Sequence, residues 1–363
     1  MLNRLLSVRT IGSPGQGYVA TTLSIPQDEE ALEAFLSTPT AETVEAASRL
    51  DGDLLVLGAG GKMGPSLARL AKRSIEEAGA PHRVICVSRF GGSEIPAQLE
   101  SSGIATIKAD LLDRAQLEGL PNAPNVMYLA GMKFGTSGAP WLAWALNCYL
   151  PAIVAERFRS ARIVALSTGN VYPLVPISSS GADEATPPAP VGEYAQSCLG
   201  RERIFEYMAS EHDTRVLLVR LNYATDLRYG VLLDVAQKVH RGEPVDVSMS
   251  RVNTIWQGDA NAVLLRAFEL CDTPVSVLNV TGPGAVSVRD VALRFAERFG
   301  ATPRFAGTES DVALLSDASR CHSLYGPPRI SIDTLVEWTA EWVLRGMPTL
   351  DKPTHFETRD GSF

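Results

Sequence analysis

The sequence predicts an α/β protein: a doubly wound parallel sheet with a smaller C-terminal substrate-binding lobe. Three observations carry that prediction. Short apolar runs such as Leu54-Leu55-Val56-Leu57 have the character of strands buried on both faces. They alternate with helix-length stretches between about residues 54 and 220, as parallel crossovers require. The first run leads at once into a glycine turn and then a helix.

In chain order, residues 1–52 read as an extension. Gly12, Pro14, Gly15 and Gly17 mark turns, and a helix follows with Pro39 at its first position and Glu42 near its positive end. After the Leu54 run, a helix is expected from Gly64 to about Ala78. Arg83–Val87 is the second strand, Ala105–Lys108 the third and Asn125–Leu129 the fourth. A helix over Trp144–Phe158 precedes the strand Arg162–Leu166. Another near Tyr194–Ser210 precedes the strand Arg215–Arg220. The serines at 178–180 and the prolines at 187, 188 and 190 mark a surface loop. Beyond about Thr225 the rhythm becomes irregular, with one more sheet strand at Val275–Val280.

Composition excludes several classes. A formal net charge of -8 argues against nucleic acid, whose phosphates demand clustered Lys and Arg. Five scattered cysteines form no CxxC, and five histidines show no ligand spacing. No metal site or disulfide framework is therefore expected, and a cytoplasmic location fits best. The apolar stretch at Trp141–Val154 is too short to span a bilayer, so no membrane association is expected.

Gly58, Gly61 and Gly64 recur at three-residue spacing within Gly58-Ala59-Gly60-Gly61-Lys62-Met63-Gly64. Between a strand and a helix, such glycines let a pyrophosphate approach the free N–H groups of the helix start. An ordinary glycine-rich turn is the alternative. Strand two ends in Ser88-Arg89, without the acid that binds a ribose hydroxyl in NAD-preferring Rossmann proteins. Arg89 and Lys62 suit a 2′-phosphate, which favours NADP, with NAD as the alternative.

Further motifs follow in order. They are Asp110-Leu111, Leu129-Ala130-Gly131, Asn147, Ser167-Thr168-Gly169-Asn170-Val171-Tyr172, Glu184 with Pro187, Pro190 and Tyr194, Arg220-Leu221-Asn222, Gln257-Gly258-Asp259-Ala260, Asn279-Val280-Thr281-Gly282, and Leu324 to Pro328 with Trp342. The ordered set resembles the extended short-chain dehydrogenase/reductase superfamily, epimerase/dehydratase type, over about Leu54–Val343. The resemblance implies a Rossmann domain over 53–224 and 253–282. It leaves a substrate lobe over 225–252 and 283–350, and a tail over 351–363. It implies cofactor contacts from Gly58, Gly61, Lys62, Met63, Gly64, Ser88, Arg89, Asp110, Leu111, Ala130, Gly131, Tyr194 and Cys198. It implies substrate contacts from Lys133, Asn170, Tyr172 and Asn222, and a homodimer.

By the same resemblance, Thr168 orients the substrate oxygen and Tyr194 transfers the proton. The family's lysine, four residues after the tyrosine and on the same helix face, is replaced by Cys198. A phenol titrates near pH ~10 and needs a nearby cation to serve at neutrality. Arg201, on that helix face, or Lys133, after strand four, could supply the charge. Val252 stands where the family carries a phosphate-binding arginine, so a free sugar or sugar acid is as compatible as a nucleotide sugar. The expected activity is NAD(P)-dependent epimerase, dehydratase or dehydrogenase chemistry, by hydride transfer at a carbinol of a sugar-type substrate. The alternative is a cofactor-binding sensor or scaffold that has lost catalysis.

Overall fold

The structure is a computed structural model that describes residues 24–136 and 138–361. Its centre is a seven-stranded sheet of β1 (Leu54–Leu57), β2 (Val84–Ser88), β3 (Ala105–Lys108), β4 (Asn125–Tyr128), β5 (Arg162–Thr168), β6 (Arg215–Leu221) and β7 (Ser276–Val280). The spatial order is β7-β6-β5-β4-β1-β2-β3, and every neighbouring pair is parallel. The order reverses between β1 and β4. That switch point opens a crevice at the carboxyl ends of the strands, where such sheets take ligands.

The helices follow as α1 (Glu29–Leu36), α2 (Ala41–Ser48), α3 (Gly64–Glu77), α4 (Ile95–Glu100), α5 (Arg114–Glu118), α6 (Pro140–Trp144), α7 (Leu150–Arg157), α8 (Gly192–His212), α9 (Val231–Arg241), α10 (Gln257–Arg266), α11 (Val288–Phe299), α12 (Ser319–Tyr325) and α13 (Ile332–Leu344). A single π turn, Ala145–Tyr149, joins α6 to α7.

Alternation along each strand sorts the core into two layers. Leu54, Val56, Cys86, Met127, Val164, Leu217 and Val219 point to the side where Leu67 of α3 and Leu264 of α10 pack. Leu55, Leu57, Ile85, Val126, Tyr128, Ile163 and Leu218 point to the other side, against Val154 of α7 and Phe205 of α8. A third cluster, with Trp256, Phe295, Trp338 and Trp342, is the core of the lobe.

Both flanking segments are integrated into this body. Leu32 and Leu36 of α1 and Phe356 beyond α13 are buried in the lobe core. Glu33 of α1 pairs with Arg69 of α3 at 2.7 Å and with Arg228 at 2.6 Å, tying sheet layer to lobe. The expectation that Pro39 opens a helix is corrected. Thr40 is the N-cap, in a reciprocal capping box with Thr43, and the helix begins at Ala41. A hydroxyl accepts an orphan N–H and proline cannot, so Pro39 stands one residue outside. The turns expected at Gly12 to Gly17 lie outside the described residues.

Candidate active site

The glycine loop is shaped by two close approaches. Gly58 has φ +87, and a Cβ there would lie 2.6 Å from the backbone N of Ala130. A Cβ on Gly64 would lie 2.2 Å from the carbonyl oxygen of Ala59. These glycines let β1, the end of β4 and the start of α3 pack together. Gly61 differs: its Cβ would meet only the carbonyl of Gly58 at 3.4 Å. Its bare face opens on a cavity, and a side chain there would fill the space over the helix start. No side chain caps α3, but the Gly64 N–H turns back to the Gly61 carbonyl at 3.2 Å and Pro65 has none, so an anion here meets the positive end of the helix and the backbone bared at Gly61. This cradle fits the diphosphate of a dinucleotide. Ser88 lies against Gly60, whose Cβ would be 2.7 Å from the serine hydroxyl. Arg89 is exposed at the end of β2 and joins no ion pair among the described residues.

The cavity, about 270 Å³, lies between this loop and the lobe. It gathers Gly58, Gly61, Lys62, Met63 and Gly64 with Lys133, Thr168, Asn170, Tyr194 and Asn222. Tyr223, Tyr229 and Thr354 also line it. Tyr223 directly follows the Arg220-Leu221-Asn222 run, whereas Tyr229 and Thr354 carry no motif spacing and arrive through the fold of the lobe and of the C-terminal segment.

At the end of β5, Thr168 Oγ1 accepts from the backbone N–H of Asn170 at 3.2 Å and from its Nδ2 at 3.1 Å. Both lone pairs are then engaged, so the hydroxyl proton is left to donate. Tyr194 on α8 receives it: the two side chains are hydrogen-bonded, and the bond favours the phenolate. Burial nevertheless dominates and pushes the Tyr194 phenol up, helped by the neighbouring Cys198 thiol and opposed by Thr168 and Arg201. Cys198 is buried beneath, hydrogen-bonded to Tyr194, and burial raises its own thiol pKa. A neutral thiol there offers no charge to the phenol.

Arg201, seven residues after Tyr194, points under the end of the sheet. Its Nη1 donates to the carbonyl of Leu166 at 2.6 Å and its Nη2 to Asn147 Oδ1 at 2.7 Å. The guanidinium is buried, and among the described residues no carboxylate pairs with it. Asn147 sits in the π turn, a distortion that often marks functional positions. It accepts from the N–H of Met132 and donates to the carbonyl of Met132 and to Ser197, each at 2.9 Å. Asn147 thus fixes the loop after β4 against α8.

Two lysines line the cavity. Lys62 Nζ leaves the glycine loop, donates to the carbonyl of Ala224 at 2.7 Å and lies 4.0 Å over the ring of Tyr229. Lys133 Nζ donates to the carbonyl of Thr354 at 3.3 Å. Burial lowers both ammonium groups to about 8. Asp226 opposes that shift at Lys62, while Asp234 and then Cys198 oppose it at Lys133.

Of the remaining candidates, Asn222 lines the cavity and the others lie outside its wall. Tyr172 is 2% exposed; its hydroxyl accepts from Arg220 at 2.8 Å and donates to Asn279 at 2.9 Å. Arg220 in turn forms a buried pair with Glu202 at 2.7 Å, and Ser167 donates to Glu202 at 2.5 Å. That network ties β5, β6, β7 and α8 together. Asp110 accepts from the N–H of Leu112 at 3.1 Å, closing its own turn, and Leu111 is buried in the apolar layer. Ala130 packs on Gly58 and Gly131 on Arg201. Asn222 lines the cavity while its amide donates to Asn253 at 2.8 Å. Among the described residues, no cluster of His, Cys, Asp or Glu could hold a metal, and no helix is long and apolar enough to cross a membrane.

Comparison with solved structures finds the same fold. UDP-glucose 4-epimerase of Thermotoga maritima, solved with UDP-glucose, is 18% identical with a TM-score of 0.66, covering 81% of this chain and 99% of its own. UDP-glucuronic acid 4-epimerase of Bacillus cereus, solved with UDP-glucuronic acid and NAD, is 16% identical at 0.66, with the same coverage. UDP-glucose 4-epimerase of Thermus thermophilus, solved with NAD, is 18% identical at 0.64, covering 80% of this chain and 98% of its own. Comparison with curated proteins gave no match. The sequence profile of one family, however, matches residues 54–253, from the first strand through the glycine cradle, the Thr168–Tyr194 pair and into the lobe. The chain belongs to the NAD dependent epimerase/dehydratase family.

Proposed function

We propose that the protein is an NAD(P)-dependent enzyme that oxidises, reduces or epimerises a carbinol centre of a sugar-type substrate. The observation that carries this reading is the hydrogen-bonded Thr168–Tyr194 pair facing the same cavity as the bare surface of Gly61. When bound, the nicotinamide ring supplies the two-electron acceptor and donor. Thr168 and Tyr194 hold the substrate oxygen, and Tyr194 takes or returns its proton. Arg201 replaces the charge lost at Cys198: it lowers the phenol pKa from beneath, held in place by Leu166 and Asn147. Arg89, exposed where a 2′-phosphate would lie, favours NADP over NAD.

The test is direct. Purified protein is titrated with NADPH and NADH by fluorescence and screened for cofactor-dependent turnover of sugars and sugar acids. Tyr194→Phe should reduce turnover by roughly 10²-fold or more while leaving cofactor affinity within a few-fold. Full activity in that variant removes Tyr194 from the assignment, and no binding of either nucleotide removes the reading.

The second reading, a cofactor-responsive sensor without turnover, is favoured by Cys198 and by the upward push on the Tyr194 phenol. It requires nucleotide binding with a blank substrate screen. A homodimer through α6, the π turn and α8 is proposed from the exposed Trp141, Tyr149 and Tyr207 on that face, 73%, 49% and 60% exposed. Five unpaired cysteines favour a reducing compartment, the cytoplasm.

A further inference from the structure

We infer that residues 351–361 form a strap that closes one side of the cavity and opens for ligand exchange, with the contact between Asp234 and Thr354 as its latch. The gating role rests on the reading of this cavity as the site of cofactor and substrate; the strap itself stands on its own contacts.

Residues 351–361 contain no helix or strand, so side-chain and single backbone contacts hold them. The segment leaves the lobe where the N–H of Leu350 donates to the carbonyl of Arg228 at 3.0 Å. Thr354 and Phe356 are buried, and the residues around them are exposed or half-buried. Phe356 is anchored in the lobe core. Thr354 lines the cavity, and among the described residues it is the one lining residue beyond Gly230. Its carbonyl accepts from Lys133 at 3.3 Å, and the ring of His355 lies 6.4 Å from that of Phe134, both partners being on the loop after β4. Further on, Arg359 donates to the carbonyls of Ser248 and Val312 at 3.1 and 3.0 Å. Gly361 packs on the start of α8, where a Cβ would lie 2.3 Å from the carbonyl oxygen of Val191. The strap thus runs from the lobe to the loop after β4, back to the lobe, and on to the helix that carries Tyr194.

Asp234 makes this closure two-state. It sits in the first turn of α9, and its carboxylate accepts from the N–H and the hydroxyl of Thr354 at 2.8 and 2.6 Å. A buried carboxylate stripped of its donors is costly, so Thr354 is either seated on Asp234 or replaced there by water. The backbone on both sides of the seat is left-handed, with φ +49 at Asp351 and φ +53 at His355. Residues with a side chain enter that region at a cost. Seating of Thr354 and burial of Phe356 hold it, and release of the seat lets the stretch between relax. Asp234 does not line the cavity; it acts through Thr354 and is a positioning residue.

Two readouts on the full chain test this, and neither needs a ligand. Hydrogen exchange read by mass spectrometry reports on the strap, and acetylation by acetic anhydride reports on the cavity. Lys62 lines the cavity and is bonded to Ala224; the exposed Lys108 at the end of β3 is the internal reference. Asp234→Ala and Thr354→Val should each speed exchange over residues 351–361 by about tenfold or more. They should also raise Lys62 acetylation, relative to Lys108, by about threefold or more. Peptides of β1 and β4 should stay within about twofold, and Thr354→Ser, which keeps both donors, should match the parent. Faster exchange in the strap with unchanged Lys62 acetylation overturns the gate. Exchange raised alike in strap, lobe and sheet assigns Asp234 to general stability and overturns the latch. So does parent-like exchange in both variants. Titration with NADPH and NADH decides the redox reading separately: a parent protein that binds neither loses that reading, while exchange and acetylation still judge the strap.

Discussion

Gly131 and Arg201 compete for one volume: a Cβ on Gly131 would lie 2.3 Å from Nη2 of Arg201. The glycine closing the Leu129-Ala130-Gly131 run therefore makes room for a guanidinium. The charge of that guanidinium lowers the pKa of the Tyr194 phenol.

Gly131→Ala should force the guanidinium off Leu166 and Asn147. Overpacking of this kind costs about 1–3 kcal/mol, to be read as a lower urea midpoint with an unchanged slope. The double variant Gly131→Ala with Arg201→Met should recover part of the loss, because the clash disappears. An alanine variant as stable as the parent would mean that Arg201 has another comfortable position.

Arg201→Met should move the pH–rate profile. Arg201 lowers the Tyr194 phenol pKa, so its removal pushes the phenol up and shifts the rising limb for oxidation to higher pH. KM should change little, since Arg201 lies outside the cavity wall. A lower rate with an unmoved profile would show a purely structural role.

Lys62 gives a pH signature in stability. Burial lowers its pKa from 10.5 to about 8 in the fold, so between those values the unfolded chain binds more protons. Stability from this group is then smallest below pH 8 and rises as pH climbs toward 10.5. Melting curves of the parent and Lys62→Met should diverge in the parent's favour across that window. A constant difference from pH 7 to 10.5 would contradict the depressed value.

Arg89→Ser should weaken NADP by about tenfold, ~1.4 kcal/mol, and leave NAD within twofold, as read by fluorescence titration of the reduced forms. Equal losses for both nucleotides would assign Arg89 to adenine stacking alone.

Local pattern was enough for the sheet and the glycine loop. Apolar four-residue runs fix strands with little ambiguity when glycine turns and helix-length stretches bound them. The predicted Ala105–Lys108 strand and the helix start at Gly64 are observed as such. Spacing also singled out Thr168, Tyr194 and Cys198 as neighbours, because they are local to one strand end and one helix face. What surrounds them is a matter of packing. Arg201 and Lys133 were both legible as cations, but only the closed fold sends Arg201 under the sheet to Asn147 and Lys133 to Thr354, 221 residues away in sequence. The last segment, which composition marks only as a tail, supplies a wall of the cavity through Thr354. Tyr172 carries a motif position, yet its hydroxyl is held in the interior by Arg220 and Asn279. Periodicity reports which face of an element is buried. Which distant groups meet there depends on how helices and lobe close over the sheet, and no local pattern encodes that.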